Sequence, residues 1–170
     1  MQKAMFRCSL KLTLLSILCL LVSCGFTPLN KVMQENNAIL AKIKVNKINA
    51  EKPYLLRAYL EDELNPRHDM SDQSLEINVT IGKAIEDILI KKDSTVTRKN
   101  LIATATFELR DLRKNKLIKV GNVKASASFA QVDSPFASFY TEEKAYNDVM
   151  KEIARTLTSH VIIVLQKKGL

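Results

Sequence analysis

No cysteine follows position 24 in this chain of 170 residues; Cys8, Cys19 and Cys24 are all it has. A disulfide scaffold and a cysteine-based zinc site are therefore excluded from the body of the protein. Two histidines, His68 and His160, are too few for a multi-histidine metal centre. Tryptophan is absent, aromatics reach only 6%, and four glycines leave little material for a phosphate-cradling loop. Ser134 and Ser138 lack a G-x-S-x-G setting and a nearby histidine, so nucleophilic catalysis has no machinery. Enzyme activity is not expected. What remains is ordinary globular usage, with 46% hydrophobic and 26% charged residues and a formal charge of +8. The length suits one domain or a tight pair, with enough bulk for an ordinary core.

Acidic residues are missing until Glu35, and that stretch reads as an address. Lys3, Arg7 and Lys11 form a basic flank, followed by an apolar run over residues 12–22 broken only by Thr13 and Ser16. Eleven residues at about 1.5 Å rise fall well short of a hydrocarbon core of about 30 Å, so the run suits a signal peptide better than a spanning helix. It ends in Leu21-Val22-Ser23-Cys24, the pattern of a bacterial lipobox. Residues 1–23 are read as a lipoprotein signal peptide and Cys24 as the lipidation site, carrying N-acyl and S-diacylglycerol chains. No other cofactor is expected. One acyl chain binds a membrane only marginally, about 10⁴ M⁻¹, so several make a lasting anchor. Gly25 stands where an Asp would signal retention in the inner membrane, so the outer membrane, facing the periplasm, is the expected location. Cleavage leaves 147 residues and discards three positive charges.

Residues 24–38 show no sustained period and read as a tether; residues 39–170 read as a single domain. Ile39, Ala41, Ile43 and Val45 alternate as a first strand. Leu56, Tyr59, Leu60 and Leu64 follow at helical spacing after Pro53, and Asn65-Pro66 stops that helix. Leu75, Ile77, Val79 and Ile81 mark a second strand, with a bulge or bend expected at Gly82. Leu101, Ala103, Ala105, Phe107 and Leu109 mark a third. A fourth carries Ile118 and Val120, then Val123, Ala125, Ala127 and Phe129, with a register change expected at Gly121. Ala145, Val149, Ile153, Leu157, Val161 and Leu165 recur every four residues as a long amphipathic helix. Ser134 before Pro135 suits a cap. The expected fold is α+β: a two-layer sandwich in the order β-α-β-β-β-α, two helices packed on a four-stranded mixed sheet.

Several segments together resemble a known family, the lipopolysaccharide-assembly lipoprotein LptE in its alphaproteobacterial form. Cys24-Gly25-Phe26-Thr27-Pro28-Leu29 resembles the family's opening after the lipobox. Leu56-Arg57 with Leu60-Glu61-Asp62 resembles its first helix. Asp93-Ser94 to Thr97-Arg98 is similar to its turn between strands two and three, and Asp133-Ser134-Pro135-Phe136-Ala137 to its entry into the last helix. The resemblance implies a non-enzymatic outer-membrane partner of the β-barrel LptD, which plugs the barrel and helps deliver lipopolysaccharide to the outer leaflet. It also implies binding of lipopolysaccharide itself. The alternative is an unrelated periplasm-facing envelope lipoprotein, acting as a lipid-binding or barrel-assembly accessory module.

Charge distribution adds an independent reading. Between Lys91 and Lys124 ten Lys/Arg stand against three acids, net +7 in 34 residues. Such a surface attracts phosphates or an acidic lumen. Nucleic acid would fit the charge but not the expected compartment, and a solvated sheet face with alternating lysines accounts for it equally. Lys91, Lys92, Arg98 and Lys99 are the candidate lipopolysaccharide or anion site, because residues 133–137 return to the same end. Arg113, Lys114 and Lys116 are the second choice, about 30 Å or more away along strand three. Glu61, Asp62 and Glu63 with His68 and Asp69 read as a solvated helix end rather than a metal site. His160 reads as a packed or snorkelling residue beside the last helix's stripe.

Overall fold

A computed structural model describes residues 39–66, 72–90 and 96–168. The predicted leader and tether with Cys24, and also His68, Asp69, Lys91 and Lys92, lie outside the described residues. The elements run β1 (Ile43–Asn49), α1 (Pro53–Leu64), β2 (Leu75–Ile90), β3 (Val96–Asp111), β4 (Lys116–Ala130) and α2 (Pro135–Lys167). They form a four-stranded sheet in the order β1-β2-β3-β4. β1 is parallel to β2 because α1 crosses between them, while the hairpin-linked β2, β3 and β4 are antiparallel. The chain is the α+β sandwich that its periodicities predict.

One face of the sheet is apolar and the helices cover it. Leu75, Ile77 and Val79 on β2 are buried with the whole alternating row Leu101, Ala103, Ala105, Phe107 and Leu109 on β3. α1 contributes Leu56, Leu60 and Leu64, each fully buried, one turn apart on the stripe that Pro53 at the helix start sets in phase. α2 buries all six residues of its predicted stripe. Among the described residues, no helix packs on the opposite face of the sheet.

The two helices differ in reach. α2 has 33 residues, about 50 Å at 1.5 Å each, which matches the 16-residue strands β2 and β3. α1 has 12 residues and β1 seven, and β1 pairs with β2 only as far as Thr80. They cover the proximal end of the sheet, beside the β3–β4 turn. At the distal end, where β2 leads toward β3 and α2 begins, α2 is the one described element over the inner face.

Four local expectations are corrected. Ile39 and Leu40 are helical and followed by a turn, so β1 starts at Ile43; Lys42 N–H donates to Ile39 O at 3.2 Å, and Leu40 rather than Ile39 is buried. Gly82 pairs with Thr104 in an unbroken ladder, and the irregularity falls later, between Asp87 and Ile90. The register of β4 shifts where Leu109 pairs with Lys119 and Arg110 with Leu117, leaving Ile118 as the extra residue, three positions before Gly121. Val120 consequently sits opposite Glu108 on the open face and is exposed. Finally, His160 is exposed, and the buried polar residue in that turn is Thr158.

Candidate functional site

The distal end is built by the junction of β4 and α2. Three hydroxyls pin the start of the helix. Ser134 Oγ caps it by accepting from Ala137 N–H at 3.4 Å. Ser138 Oγ accepts from Val132 N–H at 3.0 Å and donates to Val132 O at 2.8 Å. Thr141 Oγ1 donates to Ala130 O at 2.8 Å. Ser134 and Ser138 are thus consumed by structure. So pinned, the first turns of α2 hold Phe136 at 80% exposure, Phe139 at 63% and Tyr140 at 64%. Their i, i+3, i+4 spacing puts them on one helix face. Ile85, Ile88 and Val132 are also exposed at this end. This aromatic face escaped the charge-based reading, although three aromatics directly after Pro135 and off the buried stripe are a legible signal.

The candidate anion residues separate here. Arg98 and Lys99 are consecutive in β3, so their side chains leave opposite faces of the sheet. Arg98, opposite Ala130, is exposed on the open face. Lys99 lies on the helix-bearing face opposite Phe129, with Asp87 carboxylate 4.0 Å from its ammonium. Among the described residues, Lys99 has an acid beside it and Arg98 has none.

At the proximal end, Arg113 and Lys114 sit in the tight β3–β4 turn. Asp111 Oδ1 accepts from Arg113 N–H at 2.9 Å and Lys114 N–H at 3.0 Å, and Asn115 takes a positive φ of 48°. The Arg113 guanidinium donates to the Asp72 carboxylate. Both residues line a recess of about 190 Å³ with Lys42, Ser74 and Leu75. Lys116 begins β4 opposite Asp111. Strand three separates the two ends by about 50 Å, so the two basic groups cannot serve one compact ligand.

Midway, a clamp of opposite charges joins α2 to the β1–α1 loop and to β2. Lys52 Nζ donates to Glu143 at 2.6 Å, and Lys83 Nζ lies 2.5 Å from Glu51. Both ammoniums sit 5.6 Å from the centre of the buried Tyr146 ring. The hydrogen bond from Lys83 holds the Glu51 carboxyl below its ordinary range. The bond to Glu143 holds Lys52 above its own, and burial raises the Tyr146 phenol. Glu61 is paired with Arg57 and Glu63 with Arg155, so these acids are engaged in ion pairs on the helix surfaces. Among the described residues no group of acids, histidines and cysteines is placed to hold a metal ion, and no helix is long and apolar enough to cross a membrane.

The sequence matches no family model and no curated protein. Solved structures, however, share the architecture. A candidate lipoprotein from Caulobacter crescentus CB15 aligns with a TM-score of 0.63 at 17% identity, over 78% of this chain and 97% of its own. Rare lipoprotein B from Shewanella oneidensis aligns at 0.57 and 11% identity, over 74% of this chain and 99% of its own. A minor lipoprotein from Acinetobacter baumannii aligns at 0.53 and 17% identity, over 73% and 94%. At such identities the likeness is one of fold. Nearly the whole of each of those chains is matched, so the sandwich described above is the fold of all three.

Proposed function

We propose that this chain is an outer-membrane lipoprotein, acylated on Cys24, that plugs the LptD β-barrel and assists lipopolysaccharide delivery to the outer leaflet. The observation that carries this reading is the shared fold: proteins named as lipoproteins, rare lipoprotein B among them, match this domain over nearly their full length. The lipobox and the resemblance to the LptE family agree with it. The aromatic face at the start of α2 adds support, since Phe136, Phe139 and Tyr140 form an exposed apolar surface of the kind that marks protein interaction sites. The role is non-enzymatic, and lipopolysaccharide phosphates would meet the distal cations.

Isolation of the protein from detergent-solubilised envelopes tests the reading. A stoichiometric large β-barrel should accompany it, and palmitate label should disappear in Cys24→Ala. Intact, abundant lipoprotein without a barrel would overturn the plug. The same aromatic face fits acyl chains as well, which favours a lipid-binding accessory lipoprotein as the second reading; retained lipid with no barrel would select it.

A further inference from the structure

The face of the sheet that bears no helix among the described residues has a recess of about 430 Å³ beside the irregularity in β1. That volume lies in the range of small-molecule sites. Val45 pairs with Ile77 and Ile48 with Val79, so Asn46 and Lys47 stand opposite one residue, Asn78. Asn78 fixes this bulge: its Oδ1 accepts from Lys47 N–H at 3.0 Å and Asn46 Nδ2 at 3.3 Å, while its Nδ2 donates to Glu76 at 3.0 Å. Bulges of this sort re-aim neighbouring side chains.

The re-aimed surface is chemically uniform. Asn49 pairs with Thr80, and Thr80 with Thr106, so an amide and two hydroxyls form one row across three strands. Strand spacing sets them about 4.8 Å apart, comparable to the width of a sugar ring. Asn78 and Glu108 form the next row, and Lys47 closes the edge. Amides and hydroxyls each offer donors and acceptors together, the mixture that vicinal hydroxyl groups require. The single cation, Lys47, is balanced by Glu108, so a bare phosphate gains little. No large apolar side chain lines the recess, so an acyl chain gains nothing. We propose that this recess binds a neutral saccharide segment. The proposal goes beyond the barrel-plug reading and stands on the recess alone. Lipid-linked core sugars and cell-wall glycan strands share the chemistry.

The test uses the full chain, ¹⁵N-labelled, in a detergent without a sugar headgroup. Two probes separate the sources: lipopolysaccharide core oligosaccharide freed of lipid A, and an oligomer of N-acetylglucosamine. Inorganic phosphate is the control. At least one saccharide should shift the Asn49 side-chain amide and the Thr80 and Thr106 signals, and phosphate should not. Asn49→Ala and Thr106→Val should each weaken binding about fivefold, the worth of one hydrogen bond. Thr104→Val, on the same face outside the recess, should leave binding and melting temperature unchanged. Silence from both saccharides, equal shifts with phosphate, or undiminished binding by stably folded Asn49 and Thr106 variants would overturn the proposal. A barrel retained in the envelope preparation alongside such silence would sink the recess and spare the plug.

Discussion

A Cβ placed on Gly121 would lie 2.7 Å from Cζ of Phe107, the residue opposite it across the β3–β4 ladder. The Phe107 ring therefore occupies the space a side chain at 121 would need. That ring is 1% exposed and hemmed in by the core, so it cannot swing aside. Gly121→Ala should cost about 1–3 kcal/mol, the usual penalty for overpacking, in urea unfolding of the purified protein. Phe107→Leu should recover part of the loss when combined with it. Gly82→Ala is the contrast: the nearest atom to its Cβ is Thr104 O at 4.0 Å, on the open face. That variant should be neutral or gain up to about 1 kcal/mol. Equal stability of Gly121→Ala and wild type would show that the ring lies elsewhere.

These two glycines show what the sequence discloses and what it hides. Both lie where the apolar alternation changes, which suggests a bulge or bend at Gly82 and a register change at Gly121. Neither falls there. Gly82 lies in regular ladder, and Gly121 makes room for a ring from the neighbouring strand, a pairing that no single strand's pattern contains. The period-two rows of β3 and the four-residue repeat of α2 were legible because one buried face repeats over many residues. The aromatic face was legible in principle, as residues off that repeat. The opposed directions of Arg98 and Lys99 follow from strand alternation alone. The saccharide recess was not legible, because residues from β1, β2 and β3 meet only after the bulge aligns them.

Thr158 tests the packing of α2 from within. It is 5% exposed, and its Oγ1 has no hydrogen-bond partner among the described residues. An unsatisfied buried hydroxyl keeps its desolvation cost, and valine has nearly its shape. Thr158→Val should therefore raise stability by about 1 kcal/mol, read as a higher urea midpoint at unchanged slope. A loss of that size would mean that the hydroxyl is satisfied.

The clamp around Tyr146 predicts a pH signature. Folding lowers the Glu51 pKa beneath its ordinary 4.5, chiefly through the hydrogen bond from Lys83. A depressed carboxylate contributes stability that is present above the unfolded pKa and lost as pH falls through the folded one. Glu51 is half-exposed, so the pair contributes under about 1 kcal/mol. Glu51→Gln should be slightly less stable than wild type at neutral pH, and the gap should close on acidification below 4.5. A gap that widened with acid would reverse the sign and exclude this pair as its source.

Charge reversal separates the two basic ends. Arg113 already has Asp72 as its partner, whereas Arg98 is exposed with no such acid among the described residues. Lys91→Glu with Lys92→Glu should weaken the proposed lipopolysaccharide binding several-fold more than Arg113→Glu with Lys114→Glu, although both change the charge equally. Arg98→Glu should likewise exceed Lys99→Glu, because Asp87 stands beside Lys99. Titrations of purified protein at low and physiological salt decide it. Equal losses at both ends would leave only a diffuse basic face.

The aromatic face at the start of α2 separates folding from assembly. Phe136, Phe139 and Tyr140 are between 63% and 80% exposed, so truncating them removes little buried surface. The hydroxyls that pin the helix, on Ser134, Ser138 and Thr141, stay in place. Phe136→Ser with Phe139→Ser should therefore keep the melting temperature within a few degrees. A partner that buries the face would lose central aromatic anchors, the residues that dominate interface energy. Retention of the proposed barrel partner should then fall at least about tenfold, or about 1.4 kcal/mol. Ser138→Ala gives the opposite pattern, since it strips both hydrogen bonds to Val132 and lowers stability before assembly. Full barrel retention by the double serine variant would remove the aromatic face from the interface and leave it to lipid contact.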